Sequence, residues 1–324
     1  MIVRWGTSAY ASLLSDLGIR RPLLVTTPRW TGLGLDAHRL FDRVRAHVPG
    51  ETVDAATAAS EGCDGLVAVG GGSAIDTAKA VSATTGLPVV SVPTTYSGAE
   101  WTPTFGVRDE VRRVKGGGGG ARLAGILYEP ELTLTLPRGE SGGTALNALA
   151  HCAEALYVEG RNDEADREAL AGARAIARTL ARVLADGRDL GARRQLLEGA
   201  MHAGAALAGA GLGLAHAMAQ ALGGRFALSH GALNAICLPP ALRFNEPVAA
   251  EALDRLADAM ETDDAPTCAQ ALARIAGFER LRDLGVPRAE LDQVAEAVVL
   301  RPGARANPRR ASAAEVRDLL DAVW

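Results

Sequence analysis

Short apolar runs alternate with amphipathic stretches over the first part of the chain. Pro22 to Thr26, Gly65 to Val69 and Pro88 to Val92 are brief, rich in Leu and Val and bounded by turn residues, which predicts buried strands. Between and around them, Ser8 to Leu17, Asp36 to His47 and Ser73 to Thr84 carry apolar residues at helical spacing and predict helices. Strands alternating with helices imply a parallel sheet covered on both faces. After Leu136-Pro137 the texture changes to long Ala, Leu and Arg helices. Asp163 to Asp186 places Leu170, Ala173, Ala177, Leu180 and Leu184 along one stripe that Ile176 and Val183 widen. Ser312 to Trp324 reads as a closing amphipathic helix, with Ser312 and Glu315 spaced as a capping box. The pattern therefore predicts an α/β domain over residues 1–138 and an all-helical domain over 139–324, packed without a flexible linker.

The Ala203 to Ala215 stretch is the most membrane-like segment, but it is too short to span a bilayer core of roughly 30 Å and predicts one tightly packed buried helix. Composition narrows the function classes further. Of 324 residues, 48% are hydrophobic and 22% charged, which is globular rather than disordered. The 34 basic against 38 acidic side chains leave no basic excess for a nucleic-acid backbone, so neither nucleic acid nor membrane is an expected partner. Cys63, Cys152, Cys237 and Cys268 form no CxxC pair and no disulfide framework. With no apolar leader at the start, a cytoplasmic protein is expected. Lys79 and Lys115 are the only lysines, all other basic residues being arginine.

Three segments carry candidate chemistry. Gly70-Gly71-Gly72-Ser73 follows a predicted strand and opens a predicted helix, where bare backbone N–H groups and the helix N-terminus can receive a phosphate and Ser73 can cap. It is neither GxGxxG nor a Walker loop, and such a turn is equally a tight connection. Thr94, Thr95 and Ser97 lie just beyond the next strand, where ligands bind in open α/β sheets, or else satisfy their own turn. In the helical half, Asn147 and His151 share a face at i,i+4, His216 and Gln220 repeat that spacing, and His230 follows. Three histidines predict a metal or acid–base site.

In order along the chain, GGGSxxDxxK ending at Lys79, PTTYSGAEWTP from Pro93, Tyr128-Glu129-Pro130-Glu131-Leu132-Thr133, Asn147 to Glu154, His216 to Gly231 and Asn307-Pro308-Arg309 resemble the iron-containing alcohol dehydrogenase superfamily. The Pro-Thr-Thr-Tyr segment, Asn147 and the Asn-Pro-Arg ending look most like maleylacetate reductases. The resemblance covers nearly the whole chain. It implies a Rossmann-like domain binding NADH or NADPH, a helical domain with catalytic histidines (a dehydroquinate synthase-like fold), substrate in the cleft between them, and a homodimer. Carried over to this chain, Gly71, Gly72, Ser73, Asp76, Thr94, Thr95, Ser97 and Lys115 would contact the cofactor, Lys115 with a compact ammonium that a planar guanidinium would not replace. Thr26-Thr27-Pro28-Arg29 offers no carboxylate for a 2′-hydroxyl, which leaves NAD and NADP both open, Arg29 being suited to a 2′-phosphate.

The departures shape the expected chemistry. Metal-dependent members resembling this chain have an aspartate where Asn147 stands, with histidines at His151, His216 and His230. Losing that carboxylate disfavours a hard divalent cation, so no metal is expected; a bound one would rest on the three histidines. Gln220 stands in place of a common histidine, Ala99 in place of a serine that Ser97 could replace, and Gly116 to Gly120 is unlike the family. The resulting expectation is metal-independent hydride transfer to a carbonyl or enone of a small, carboxylated substrate. Catalysis would fall to Asn147, His151, His216 and His230, while Arg243 and Arg309 are candidates to anchor the carboxylate, each equally readable as a surface or capping arginine. The alternatives are a metal-dependent alcohol dehydrogenase or dehydroquinate-synthase-like lyase, and a non-redox binding homologue.

Overall fold

The computed structural model describes residues 1–109 and 111–324, and of Lys115 only the backbone. The chain divides into two compact units, one of residues 1–95 and 99–135, the other of residues 96–98 and 136–324.

The first unit runs β1 (Ile2–Trp5), α1 (Tyr10–Asp16), β2 (Pro22–Val25), β3 (Arg39–Phe41), α2 (Gly50–Ala59), β4 (Gly65–Gly70), α3 (Gly72–Thr85), β5 (Pro88–Pro93), β6 (Phe105–Asp109), β7 (Val114–Gly118) and β8 (Arg122–Tyr128). Six strands form one sheet in the order β1-β8-β5-β4-β2-β3, and every pairing in it is parallel. Side chains on successive residues leave opposite faces. Leu24, Val67, Val69, Val90 and Val92 therefore pack with Tyr10, Leu13 and Leu14 of α1 on one side. Leu23, Val25, Leu66, Ala68 and Val89 pack with Ile75, Ala78 and Val81 of α3 on the other. Burial on both faces explains why these strands read as unbroken apolar runs.

Residues 36–47 are not a helix. Arg39–Phe41 pairs with β2 instead, and the backbone satisfies the outer edge of that strand: His38 N–H donates to Pro22 O at 2.9 Å and Thr26 N–H to Phe41 O at 2.8 Å. The helical spacing of apolar residues there was misleading because Leu40 is half exposed and only Phe41 enters the core. The helix falls later, at α2, whose buried face is as modest as Thr52 and Ala56. The five-glycine run is also ordered: β7 pairs antiparallel with β6, and a Cβ on Gly118 would stand 2.6 Å from the Phe105 ring.

The second unit is helical: α4 (Arg138–Ala155), α5 (Asp163–Ala185), α6 (Leu190–Ala210), α7 (Leu214–Phe226), α8 (His230–Met260), α9 (Ala265–Ala276), α10 (Leu291–Val299), α11 (Pro302–Ala306) and α12 (Ala313–Ala322). On α5 the buried stripe runs through Ala165, Ala169, Ala173, Ile176, Leu180 and Val183, with Leu170 and Ala177 at its margin. Ser312 caps α12 in the expected capping box. The predicted single helix over 203–215 is two: α6 ends at Ala210, Gly211 takes φ of 92°, and α7 departs at 99° to α6. No single described helix is long and apolar enough to cross a membrane; α6 and α7 pass such a test only as this bent pair.

Two close approaches in this unit build the site. Where α8 begins, a Cβ on Gly231 would stand 2.5 Å from the Gly143 carbonyl carbon, so the backbones of α4 and α8 touch and His230 is brought beside the next turn of α4. At the α6–α7 break, a Cβ on Gly213 would stand 3.0 Å from Oε1 of Glu154, so the turn lies directly over that carboxylate.

Candidate active site

The glycine turn sits at the carboxyl end of β4. Gly70 has φ of 151°, and a Cβ there would stand 2.8 Å from the Ala74 Cβ, so a side chain is excluded by both strain and space. Gly71 is the N-cap residue of α3, and no side chain caps that helix. Ser73 lies inside the first turn and does not cap; its carbonyl accepts from Thr77 Oγ1 at 2.8 Å. The N-terminus of α3 thus keeps unfilled N–H donors, the arrangement that receives phosphate. Beside it, a Cβ on Gly71 would meet Thr95 Cγ2 at 2.9 Å, and Thr95 Oγ1 is buried without a partner. Thr94 N–H donates to Gly70 O at 3.0 Å, tying the two turns together. The uncapped helix and the orphaned hydroxyl fit a dinucleotide pyrophosphate.

Other expected cofactor contacts fall elsewhere. Asp76 sends one oxygen to Lys79 Nζ at 2.8 Å and accepts from Gly106 N–H with the other at 3.1 Å, so it fastens β6 rather than facing the turn. Lys79 is buried and also donates to Ala99 O at 2.8 Å and Thr104 O at 2.5 Å. Arg29 donates to Thr135 O at 2.6 Å and lies over the Trp30 ring, and is already engaged rather than reaching for a 2′-phosphate. The side chain of Lys115 lies outside the described residues.

In the helical unit the four expected residues meet. His151 and His216 stack with ring centroids 4.6 Å apart, and His216 and His230 lie 5.7 Å apart with planes at 53°. Asn147, His151 and His216 are buried. Two residues absent from the expected set complete the cluster. Glu154 is fully buried and accepts three N–H bonds, from Gly213 N at 2.8 Å, His216 N at 3.2 Å and His216 Nδ1 at 2.6 Å. Asn234 donates to Asn147 Oδ1 at 2.7 Å and approaches His230 Nε2 at 3.1 Å. Both were within reach of the sequence. Glu154 follows His151 by three positions, and Asn234 follows His230 by four, the same imidazole–amide spacing as Asn147–His151.

Donor and acceptor matching orients the side chains of the cluster. Asn147 Nδ2 donates to Ser97 O at 3.1 Å, which orients its Oδ1 toward Asn234 Nδ2 and toward His216 Nε2 at 3.3 Å. Glu154 Oε2 thus lies opposite Nδ1 of His216 and Asn147 Oδ1 opposite its Nε2, so the ring faces an acceptor on each side. For His151, burial and then the neighbouring His216 hold the ring well below the usual histidine range, so it stays neutral. Its Nε2 faces Asn147 Nδ2 at 3.5 Å, which leaves the proton on Nδ1, a buried atom without a partner. Ser97 Oγ is likewise buried and unpartnered. Cysteine chemistry is disfavoured, because burial pushes the Cys152 and Cys237 thiols far up.

Neither arginine expected to anchor a carboxylate is available. Arg243 is tied to Glu246 at 2.9 Å and Asp264 at 2.8 Å on the surface. Arg309 lies 3.9 Å over the Phe244 ring and pairs with Glu315 at 2.9 Å, holding the start of α12. One signal was missed: Arg301 donates to Gln220 Oε1 at 3.3 Å and to Gln220 O at 3.2 Å, and its Nε is buried without a partner.

A parallel sheet ending in an uncapped glycine turn, joined to a helical unit with a buried histidine cluster, defines a nucleotide-dependent enzyme. Comparison with known proteins gives the class. Residues 5–123 match the iron-containing alcohol dehydrogenase family and residues 142–324 match the C-terminal region of the Fe-containing alcohol dehydrogenase family. The maleylacetate reductase of Burkholderia cepacia is 37% identical, with 99% of this chain and 95% of that protein covered. The crystal structure of maleylacetate reductase from Rhizobium sp. strain MTP-10005 matches with a TM-score of 0.91 at 33% identity, over 100% of this chain and 95% of that one. The iron-containing alcohol dehydrogenase of Corynebacterium glutamicum matches with a TM-score of 0.92 at 31% identity, over 100% of this chain and 94% of that one. The chain belongs to the iron-containing alcohol dehydrogenase family, with its dehydroquinate synthase-like fold. Within that family it is most like the maleylacetate reductases, and its class is that of an NAD(P)-dependent oxidoreductase.

The iron that names the family does not suit these residues. Each Nε2 in the cluster already faces an amide, His151 and His216 that of Asn147 and His230 that of Asn234. The carboxylate at the cluster, Glu154, sits on the far nitrogen of His216. Among the described residues no group of three or more His, Cys, Asp or Glu side chains is arranged around a common point. A hard divalent cation prefers carboxylate oxygen, which this donor set does not offer.

Proposed function

We propose that the chain is a metal-independent reductase of the maleylacetate reductase type. It uses NADH or NADPH to reduce a carbonyl or conjugated enone in a small carboxylated acid, of which the substrate in its relatives' name, maleylacetate, is the first to test. The observation that carries this reading is the buried His216–Glu154 pair at 2.6 Å, which would hold a positive charge on His216 where the metal-dependent relatives' sequences place metal ligands.

A bound nicotinamide would supply the hydride, delivered to the electron-poor carbon of the substrate. The protein's part begins at α3, where the N–H groups of Gly71, Gly72 and Ser73 receive the pyrophosphate, with Thr94 and Thr95 closing the turn. As the hydride arrives, an electron pair moves onto the substrate oxygen. The neutral His151 offers its Nδ1–H to that oxygen, and the imidazolium of His216 stacked on it stabilises the developing charge. Asn147 and Asn234 keep the three rings in register, and Ser97 Oγ adds a second unpartnered hydroxyl to the same loop. His230, more exposed than the other two, returns a proton from solvent so that the oxygen leaves as a hydroxyl or enol. Asp76 serves the fold of the sheet unit rather than the cofactor.

Mixing the purified protein with NADH or NADPH and maleylacetate tests this reading. Substrate-dependent loss of the nicotinamide absorbance is expected. Binding of neither cofactor in a calorimetric titration would instead favour a non-redox homologue.

A further inference from the structure

Arg301 is a partly buried cation held only by neutral groups. Its two terminal nitrogens donate to the side chain and the backbone carbonyl of a single residue, Gln220, at 3.3 and 3.2 Å. No carboxylate pairs with it among the described residues, and its Nε is buried with no acceptor. Burial alone pulls its proton affinity down, with no opposing anion nearby. Taking a guanidinium out of water without an anion is unfavourable, so such a group persists where an anion comes to it.

Arg193 provides the contrast. It is more deeply buried and also lacks a carboxylate, yet its guanidinium reaches Tyr96 Oη at 3.1 Å, Ser141 Oγ at 3.3 Å and Gly187 O at 2.6 Å. Its donors are used, and its role is structural. Arg301, by contrast, rests on one residue and leaves its Nε without an acceptor.

Position ties Arg301 to the histidines. Gln220 lies four residues after His216 on α7, so the two share one helix face a single turn, about 5.4 Å, apart. Arg301 precedes α11, and α11 seats Gly303 against the Gly213 carbonyl, in the same turn that covers Glu154. A planar fork with an unused Nε–H edge is the shape that takes a carboxylate through two parallel bonds.

We propose that Arg301, braced by Gln220, binds a carboxylate of the substrate and selects acids over uncharged carbonyl compounds. The proposal rests on the reductase reading above and names its substrate class.

The experiment combines turnover with binding. KM and kcat are measured for maleylacetate and for its dimethyl ester with the unaltered enzyme, Arg301→Lys, Arg301→Gln and Gln220→Glu. Thermal shift with succinate, an unreactive dicarboxylate, is recorded for the same proteins. Arg301→Gln is expected to raise KM for the acid thirtyfold or more while the ester changes at least tenfold less, and Arg301→Lys to fall between. Gln220→Glu keeps the arginine but supplies an internal carboxylate, so it is expected to abolish the succinate shift while raising the melting temperature. An acid-to-ester preference that survives both Arg301→Gln and Gln220→Glu within twofold would overturn the proposal. Should the unaltered protein turn over neither compound, the succinate shift decides: lost in Arg301→Gln it sustains the anion site while the reductase reading fails, and retained it refutes the site.

Discussion

Glu154 carries more at the residue scale than its place in the sequence suggests. It is fully buried, accepts three N–H bonds and holds the ring of His216. Glu154→Gln removes the balancing charge and leaves a donor facing a donor. A loss of about 3–5 kcal/mol in unfolding free energy is expected, as for breaking a buried pair. Turnover should fall roughly 10–100-fold, as when the orienting partner of an active-site histidine is removed. Denaturant unfolding and steady-state kinetics check both, and an unaltered rate would contradict the assigned role. His151 sets a pH dependence of its own. In the unfolded chain it takes up a proton near pH 6.5, whereas in the fold it is held neutral to much lower pH. Below about pH 6.5 the unfolded state therefore binds a proton that the native state does not, and stability falls by up to about 1.4 kcal/mol per pH unit. The melting temperature of the protein should drop more steeply from pH 7 to pH 5 than that of His151→Gln; parallel declines would show that other groups govern the acid limb.

Elements were legible from the sequence where burial is two-sided or amphipathic. β2, β4 and β5 read correctly because both of their faces are covered, and α5 and α12 because one face is apolar and their ends are capped by Asn162 and Ser312. The region from Asp36 to His47 misled because an edge strand is held by backbone hydrogen bonds to β2, which no side-chain period records. The break between α6 and α7 was hidden by a run of Ala, Gly and Leu that suits a helix throughout, the deciding feature being the positive φ of Gly211. The glycine turn was legible as a motif, but the reason for its second glycine was not. Gly71 is bare because Thr95, from the turn after β5, occupies the space of its side chain. Gly71→Val should weaken NADH and NADPH binding tenfold or more in a fluorescence titration while the far-ultraviolet spectrum stays native; unchanged affinity would remove the α3 turn from the cofactor site. Of the histidine cluster, the i,i+4 spacing revealed the rings and Asn147. The same reasoning extended to i,i+3 and i,i+4 also reaches Glu154 and Asn234, but it could not reveal that Arg243 and Arg309 are consumed by surface and aromatic partners.

For the molecule as a whole, the proposal gives cofactor binding to the uncapped turn of the sheet unit and the acid–base work to the histidine cluster of the helical unit. The family's name points to iron, while Asn147, Asn234 and Glu154 surround the rings with amides and one outward carboxylate. The proposal therefore gives the charge that stabilises the reduced oxygen to His216 rather than to a cation. The most direct measurement is nicotinamide oxidation with maleylacetate before and after exhaustive treatment with a chelator, with the metal content determined on the same samples. The account predicts substrate-dependent turnover that is unchanged, within experimental scatter, in protein stripped of metal. Activity lost on stripping and restored only by added iron or zinc would contradict it.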